Sequence, residues 1–232
     1  VGVDEAGRGA YAGPVVAGGV LVEPAFYGDR QRRRVCKAID DSKKLSEDKR
    51  EALHEQLVNW SQTGTILTAS GSASVGEIEE LNIVGATKLA MRRAVEALLA
   101  RRAGVVLEPL HEEPLLAGAD GNARGGSVEA CLLIDGPAHR SFPWKHRGIV
   151  EGDGKSLAIA MASIIAKVTR DRRMRALDRN YPHYGFAGHK GYGVPAHLQA
   201  ILCQGPCREH RRAYLRKMGR ADDVPPQQEI AL

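Results

Sequence analysis

The opening stretch VGVDEAGRG sets two acids, Asp4 and Glu5, inside a short apolar run and follows them at once with a glycine–arginine–glycine turn. Taking an ionised carboxylate out of water costs several kcal/mol unless it is paired or binds a cation. A strand that carries two such groups is therefore strongly constrained. Successive side chains on a strand point to opposite faces. Asp4 and Glu5 reach one place only if the strand ends or bulges there, and the glycines at 7 and 9 allow that. The bend turns an internal pair of acids into the rim of a site.

The rest of the chain supplies a frame for this strand. Val1 to Val3 and Gly13 to Val22 read as two runs joined by a glycine-rich bend, an antiparallel hairpin. Ser46 followed by Glu47 and Asp48 starts a helix that runs to about Trp60. TILTAS (65–70) reads as a third strand, and Ser74 with Glu77 forms a capping box. A longer helix follows from about Ile83 to Arg101, where Ile83, Ala86, Ala90, Ala94 and Leu98 recur at helical spacing. HEEPLLAGADGNARGGS reads as a long exposed loop. SVEACLLID alternates as one strand ending at Asp135, and GIVEGDG as a short strand or loop. LAIAMASIIAKVTRDRRMRALD is a strong helix, followed by shorter helical stretches at 196–203 and 208–218. Strands alternating with helices over one core predict an α/β domain with a mixed sheet and a helical C-terminal appendage.

Length and composition fit that frame. The 232 residues suffice for one sizeable core. The formal charge of +5 is concentrated between Lys167 and Arg220, with REHRRAYLRKMGR the densest run. Such a face suits a polyanion, nucleic acid above all, or is simply a solvated helix surface. The longest apolar run, PVVAGGVLV, falls far short of the ~20 residues that cross a bilayer, and no secretory signal is visible. The chain starts at Val1 inside an apparent strand, so residues preceding it are expected. Cys36, Cys131, Cys203 and Cys207 are too scattered for a disulfide scaffold, which favours a reducing cytoplasm. CQGPCREH, with His189 and His197 upstream, lacks the second cysteine pair of a zinc site, so free thiols are expected there.

Gly7, Gly9 and Gly13 fall near a dinucleotide fingerprint, but β-branched strand residues and Pro14 follow where that motif needs a helix. The acids point elsewhere. Asp4, Glu5, Asp135 and Asp153 each stand at or near the end of an apolar strand-like run. Taken singly, each reads as a turn or cap residue. Converging from separate strand ends, they would repel one another and need a divalent cation. Hard oxygen donors select Mg²⁺ or Mn²⁺. Two such ions about 3.5–4 Å apart stabilise the attacking and leaving oxygens of a phosphoryl displacement. The amides of a glycine-flanked turn beside that site can approach a sugar 2′-hydroxyl closely.

VGVDEAGRGAYAGPVVAGGV, DDSKKLSEDKRE, NIVGATKLAMRRAVEAL, LLIDG, EGDGKSLAIAMASIIAKVTRDRRM and YPHYGFAGHKGYGVPAHL together resemble, in order, the type 2 ribonucleases H, the ribonuclease HII family. The resemblance runs from Val1 to about Arg216 and is interrupted mainly between Arg102 and Ser127. It implies a ribonuclease H-like fold, a mixed central β-sheet flanked by helices, with a catalytic core over 1–170, a C-terminal helical substrate-binding region over 171–220 and a tail over 221–232. It implies an endoribonuclease acting on RNA–DNA hybrids and on duplex DNA with embedded ribonucleotides, a monomer in the cytoplasm away from membranes. Asp4, Glu5, Asp135 and Asp153 match the catalytic acids that hold two Mn²⁺ or Mg²⁺ ions. Gly7, Arg8 and Gly9 match the motif that reads the 2′-hydroxyl. Tyr192 matches the tyrosine packed on the adjoining deoxyribose, and Lys43 and Lys44 are expected near phosphate.

The same residues carry plainer readings. Tyr192 is equally a half-buried aromatic. His189, Lys190 and His197 read as cap or solvent-facing residues, and Ser163 as bonded back to its own helix. Arg170 to Arg175 read as a mixture of helix surface and phosphate contacts. Ala10-Tyr11 replaces the proline the family usually has after the glycine turn, so a looser turn is expected. A noncatalytic nucleic-acid-binding module, or a metal nuclease that cuts plain DNA, would share most of these features.

Overall fold

In the computed structural model, which describes residues 1–37, 39, 45–110 and 128–224, the first strand β1 (Gly2–Ala6) lies in the middle of the main sheet. It pairs antiparallel with β2 (Val15–Val22), which pairs antiparallel with β3 (Ile66–Ala73). The predicted hairpin therefore forms, with β2 two residues shorter at its start. Helix α1 (Arg30–Cys36) and helix α2 (Glu47–Gln62) lie between β2 and β3, and the Ser46 side chain caps α2 at the Lys49 N–H.

After β3 the Ser74–Glu77 capping box opens a long helix, α3 (Val75–Arg101). Asn82 breaks it with φ 57°, and its side-chain oxygen accepts from Val84 N and Gly85 N. The helix read from Ile83 is thus the second limb, newly capped at Asn82. The expected single strand over SVEACLLID divides. β5 (Val128–Glu129) pairs with β4 (Val105–Val106) in a separate ribbon, while β6 (Leu133–Asp135) joins the main sheet parallel to β1. The alternation at Val128 misleads because that side chain is exposed rather than buried. The expected loop over 111–127 lies outside the described residues.

β7 (Arg147–Ile149) completes the order β3-β2-β1-β6-β7, and a 3₁₀ turn at Gly152–Gly154 leads into helix α4 (Leu157–Asn180). Short helices α5 (Phe186–His189), α6 (Pro195–Gln204) and α7 (Arg212–Leu215) follow. The helix expected over 208–218 contracts to α7 and a single 3₁₀ turn after it.

Both faces of the sheet are covered, so β2 is buried almost throughout instead of alternating with solvent. Val3, Val15, Ala17 and Ile134 point toward α3, while Val20 points toward α4 and α2. Each fully buried aliphatic side chain contributes about 1.5–3 kcal/mol through lost water contact. Gly18 and Gly71 let the helices sit close. A Cβ at Gly18 would stand 2.2 Å from the Ala162 carbonyl of α4, and one at Gly71 2.2 Å from the Ala90 carbonyl of α3. No described helix is long and apolar enough to cross a membrane.

Candidate active site

The parallel pairing of β1 with β6 fixes the first pair of acids. Gly2 faces Leu133 and Val3 faces Ile134, so the next step of the ladder brings Asp4 beside Asp135. Neighbouring strands lie about 4.8 Å apart. Val3 and Ile134 both face α3, so alternation turns Asp4 and Asp135 toward α4. Ser163 of α4 bonds the Asp4 carboxylate. Glu5 points the other way along β1, but β1 ends at Ala6, and both acids line one cleft.

That cleft, about 360 Å³, is lined by Asp4, Glu5, Asp135, the Gly7–Arg8–Gly9 turn, and Ser163, Lys167 and Tyr192. Asp153 is not among the residues that line it. It is buried in the 3₁₀ turn, and the preceding residue Gly152 donates its N–H to Asp135 Oδ1 at 2.6 Å, which ties that turn to the end of β6. Asp153 accepts from Gly154 N and lines a separate hollow with Lys37 and Leu157. Lys43 and Lys44 lie outside the described residues.

Burial, and then the neighbouring Glu5 and Asp135 carboxylates, hold the Asp4 carboxyl well above the usual carboxylate range. Burial raises Glu5 as well, against the pull of Arg8, whose guanidinium donates to Glu5 Oε1 at 3.2 Å. Carboxylates crowded this way form the donor set that a small hard cation takes, so the residues present fit Mg²⁺ or Mn²⁺. As they stand, no three His, Cys, Asp or Glu side chains among the described residues make a ready cage. Each acid is turned to another partner: Asp4 to Glu5 N, Glu5 to Arg8, Asp135 to Gly152 N.

Two residues that sequence reasoning missed hold the turn in place. Arg170 and Arg211 are both fully buried. Arg170 donates to Pro14 O, Ala12 O and Lys190 O at 3.0, 3.1 and 2.9 Å, and lies 5.3 Å from the centre of the Tyr192 ring. Arg211 donates to Gly13 O and Arg8 O. Arg170 is therefore neither helix surface nor phosphate contact. Its neighbours Arg172 and Arg175 pair with Glu51 of α2, and Arg175 also with Glu47. The turn after Gly9 is not loose either. Tyr11 N and Ala12 N donate to Gly191 O, Gly13 N to Glu209 O, and Arg211 N to Tyr11 O. These bonds do the work expected of a proline.

The HKGYG segment is likewise anchored. His197 and Lys190 are buried rather than solvent-facing, and His189 stacks on His197 with centroids 4.3 Å apart. Cys207 N donates to His210 Nδ1 at 2.9 Å, His210 and His197 meet at 3.1 Å through their Nε2 atoms, and His197 Nδ1 lies 2.9 Å from Tyr192 O. Tyr192 lines the cleft at its rim, half-buried, with Lys167 Nζ 5.7 Å from its ring centre.

A mixed sheet with acids at the end of its central parallel pair, backed by a helix that shares their cleft, defines an enzyme of the ribonuclease H fold. The solved ribonuclease H2 from Pyrococcus horikoshii superposes with a TM-score of 0.57 at 21% identity, over 94% of this chain and 87% of that one. A family model described as Ribonuclease HII matches residues 1–117 and 132–218. A Ribonuclease HII of Magnetococcus marinus is 46% identical over 213 residues, 92% of this chain and 83% of that protein. One from Burkholderia thailandensis is 44% identical over the same length, 92% of this chain and 81% of that protein. The chain belongs to the ribonuclease HII family, whose members are divalent-metal-dependent endonucleases acting on RNA–DNA.

Proposed function

We propose that this ribonuclease H incises DNA duplexes on the 5′ side of single embedded ribonucleotides, as well as cutting the RNA strand of RNA–DNA hybrids. The products carry 3′-hydroxyl and 5′-phosphate ends. Such an enzyme serves ribonucleotide removal from DNA and RNA primer removal, as a monomer in the cytoplasm. The supporting observation is the placement of Asp4 and Asp135 on adjacent parallel strands, in one cleft with the Gly7–Arg8–Gly9 turn.

In this reading Asp4, Glu5, Asp135 and Asp153 hold two Mn²⁺ or Mg²⁺ ions. When bound, the ions lower the pKa of the attacking water and offset charge on the leaving oxygen. The chain's own residues do the selecting and aligning. Gly7, Arg8 and Gly9 present backbone to the ribose 2′-hydroxyl, because a turn flanked by glycines lets main chain approach the sugar. Tyr192 offers its ring to the next deoxyribose, where a 2′-hydroxyl would crowd it. Lys43 and Lys44 steady phosphate. The residues 171–220 form the substrate-binding region appended to a core over 1–170, with 221–232 as a tail.

Cleavage of matched duplexes containing a single ribonucleotide, a short run of them, or none, with Mn²⁺ or Mg²⁺, tests this. Cutting at the single ribonucleotide and none of the all-DNA duplex is expected. Equal cutting of all three would overturn it.

A further inference from the structure

The carbonyl of Arg8 receives two hydrogen bonds from the far end of the chain. Arg211 Nη1 donates at 3.0 Å and the Tyr214 hydroxyl at 2.6 Å. Nε and Nη2 of Arg211 donate to Gly13 O, at 3.0 and 2.7 Å. The guanidinium is fully buried and directs its charge at backbone carbonyls of the turn. Tyr214 is half-buried, with its ring against Tyr11 and 5.8 Å from the Arg211 guanidinium carbon.

Arg8 C=O and Gly9 N–H belong to the same peptide group. Gly9 is exposed at the rim of the cleft, and a Cβ there would meet nothing within 4 Å. The carbonyl of this peptide is thus clamped by two donors, one of them charged, while Gly9 itself lies exposed in the lining of the cleft. Hydrogen bonds in series polarise one another. A carbonyl that accepts from a guanidinium and a phenol makes its partner N–H a stronger donor and fixes its direction.

We infer that Arg211 and Tyr214 are positioning residues that orient and polarise the Arg8–Gly9 peptide toward a hydroxyl in the cleft. On the reading given above that hydroxyl is the ribose 2′-hydroxyl, and the inference rests on that reading. It adds a specificity role for the C-terminal segment that does not require either side chain to touch nucleic acid. A purely structural role would lower stability without changing which sugar is preferred.

Tyr214→Phe removes one donor and keeps the ring packing. Binding is measured in EDTA, by fluorescence anisotropy, to a DNA duplex with one ribonucleotide, to the same duplex with a 2′-fluoro residue there, and to the all-DNA duplex. The wild type is expected to prefer the ribonucleotide. In Tyr214→Phe that preference falls on the order of twofold, because the bond to the hydroxyl remains and loses only part of its strength, while all-DNA binding stays the same. With Mn²⁺, kcat/KM on the ribonucleotide duplex falls by a similar factor. Arg211→Lys, where it folds, loses more of the preference. An unchanged preference in Tyr214→Phe, against a wild type that discriminates, overturns the inference and leaves the reading of the turn standing. A wild type that does not distinguish the three duplexes overturns that reading and the inference with it.

Discussion

Gly7 and Arg170 meet so closely that no side chain fits between them: a Cβ on Gly7 would stand 1.9 Å from Arg170 Nε. Gly7 also holds φ +92°, where L-residues are strained. Both constraints act at the same atom. Gly7→Ala is therefore expected to cost about 2–4 kcal/mol, from backbone strain plus displacement of a buried side chain. Arg170 also ties down Lys190 O and underlies Tyr192, so the damage spreads to both walls of the cleft. A thermal melt with a cleavage assay on a single-ribonucleotide duplex checks this. A Gly7→Ala protein that melts and cuts like the wild type contradicts the contact.

Asp4→Asn tests the role of the buried acid against its cost. The carboxylate is only 4% exposed and sits beside Glu5 and Asp135, so its charge is unfavourable to the metal-free fold. The amide is nearly the same shape and carries no charge. Cleavage is expected to fall to background, while stability in EDTA holds or rises by about 1 kcal/mol. Adding Mn²⁺ should raise the melting temperature of the wild type and much less that of Asp4→Asn. Loss of folding instead of activity would assign Asp4 a structural role.

The histidine pair beneath Tyr192 predicts acid sensitivity. Burial pushes the His197 pKa down to about 4, and burial followed by repulsion from His197 takes His210 to about 4. His197 Nδ1 donates to Tyr192 O and His210 Nδ1 accepts from Cys207 N, so the proton between the rings sits on His210 Nε2. Protonating His197 sets N–H against N–H across the pair, and protonating His210 sets its Nδ1–H against the Cys207 N–H. A folded-state pKa below the unfolded value means stability that is complete above about pH 6.5. It is lost as pH falls through that value toward about 4. Glu209, Asp4 and Glu5, all raised by burial, work in the opposite sense and offset part of the loss. The contribution of the pair, read as the wild-type melting temperature minus that of a variant without it, should therefore drop between about pH 7 and pH 5. His210→Gln serves as that variant, and a difference that stays constant over this range counts against the pair as the source of the loss.

Much of this site was legible in the sequence because strand ends are local events. Asp4, Glu5 and Asp135 mark where apolar runs stop, and parallel pairing brings those ends together. Arg170 and Arg211 were not legible from charge, because a basic run reads as surface until something covers it. A weaker signal was present for Arg170. Ala162, Ala166, Arg170 and Met174 follow each other at intervals of four on α4, and all are buried. An arginine in step with such a stripe must find acceptors inside the protein, and here backbone carbonyls of the turn supply them. The division of 127–135 into two strands was hidden for a different reason. Alternation says which side chains share a face, but not which sheet each end will join.

Gly152 tests how finely Asp135 must be held. Its N–H donates to Asp135 Oδ1, and its Cα is so near that a Cβ would lie 3.1 Å from that oxygen and 2.7 Å from Ile159 Cδ1. The isoleucine methyl is the free end of a flexible chain and can yield. The carboxylate must move by a few tenths of an ångström, because contacts that short are rarely tolerated. Gly152→Ala should accordingly keep the fold, with a melting temperature within a few degrees of the wild type, while turnover falls by about tenfold. Small misplacements of a group that aligns the reaction lower the rate far more than the stability. Higher Mn²⁺ should recover part of the lost rate if the defect lies in ion binding. A variant that turns over like the wild type would show that Asp135 tolerates the shift, and would remove the Gly152–Asp135 bond from the account of the site.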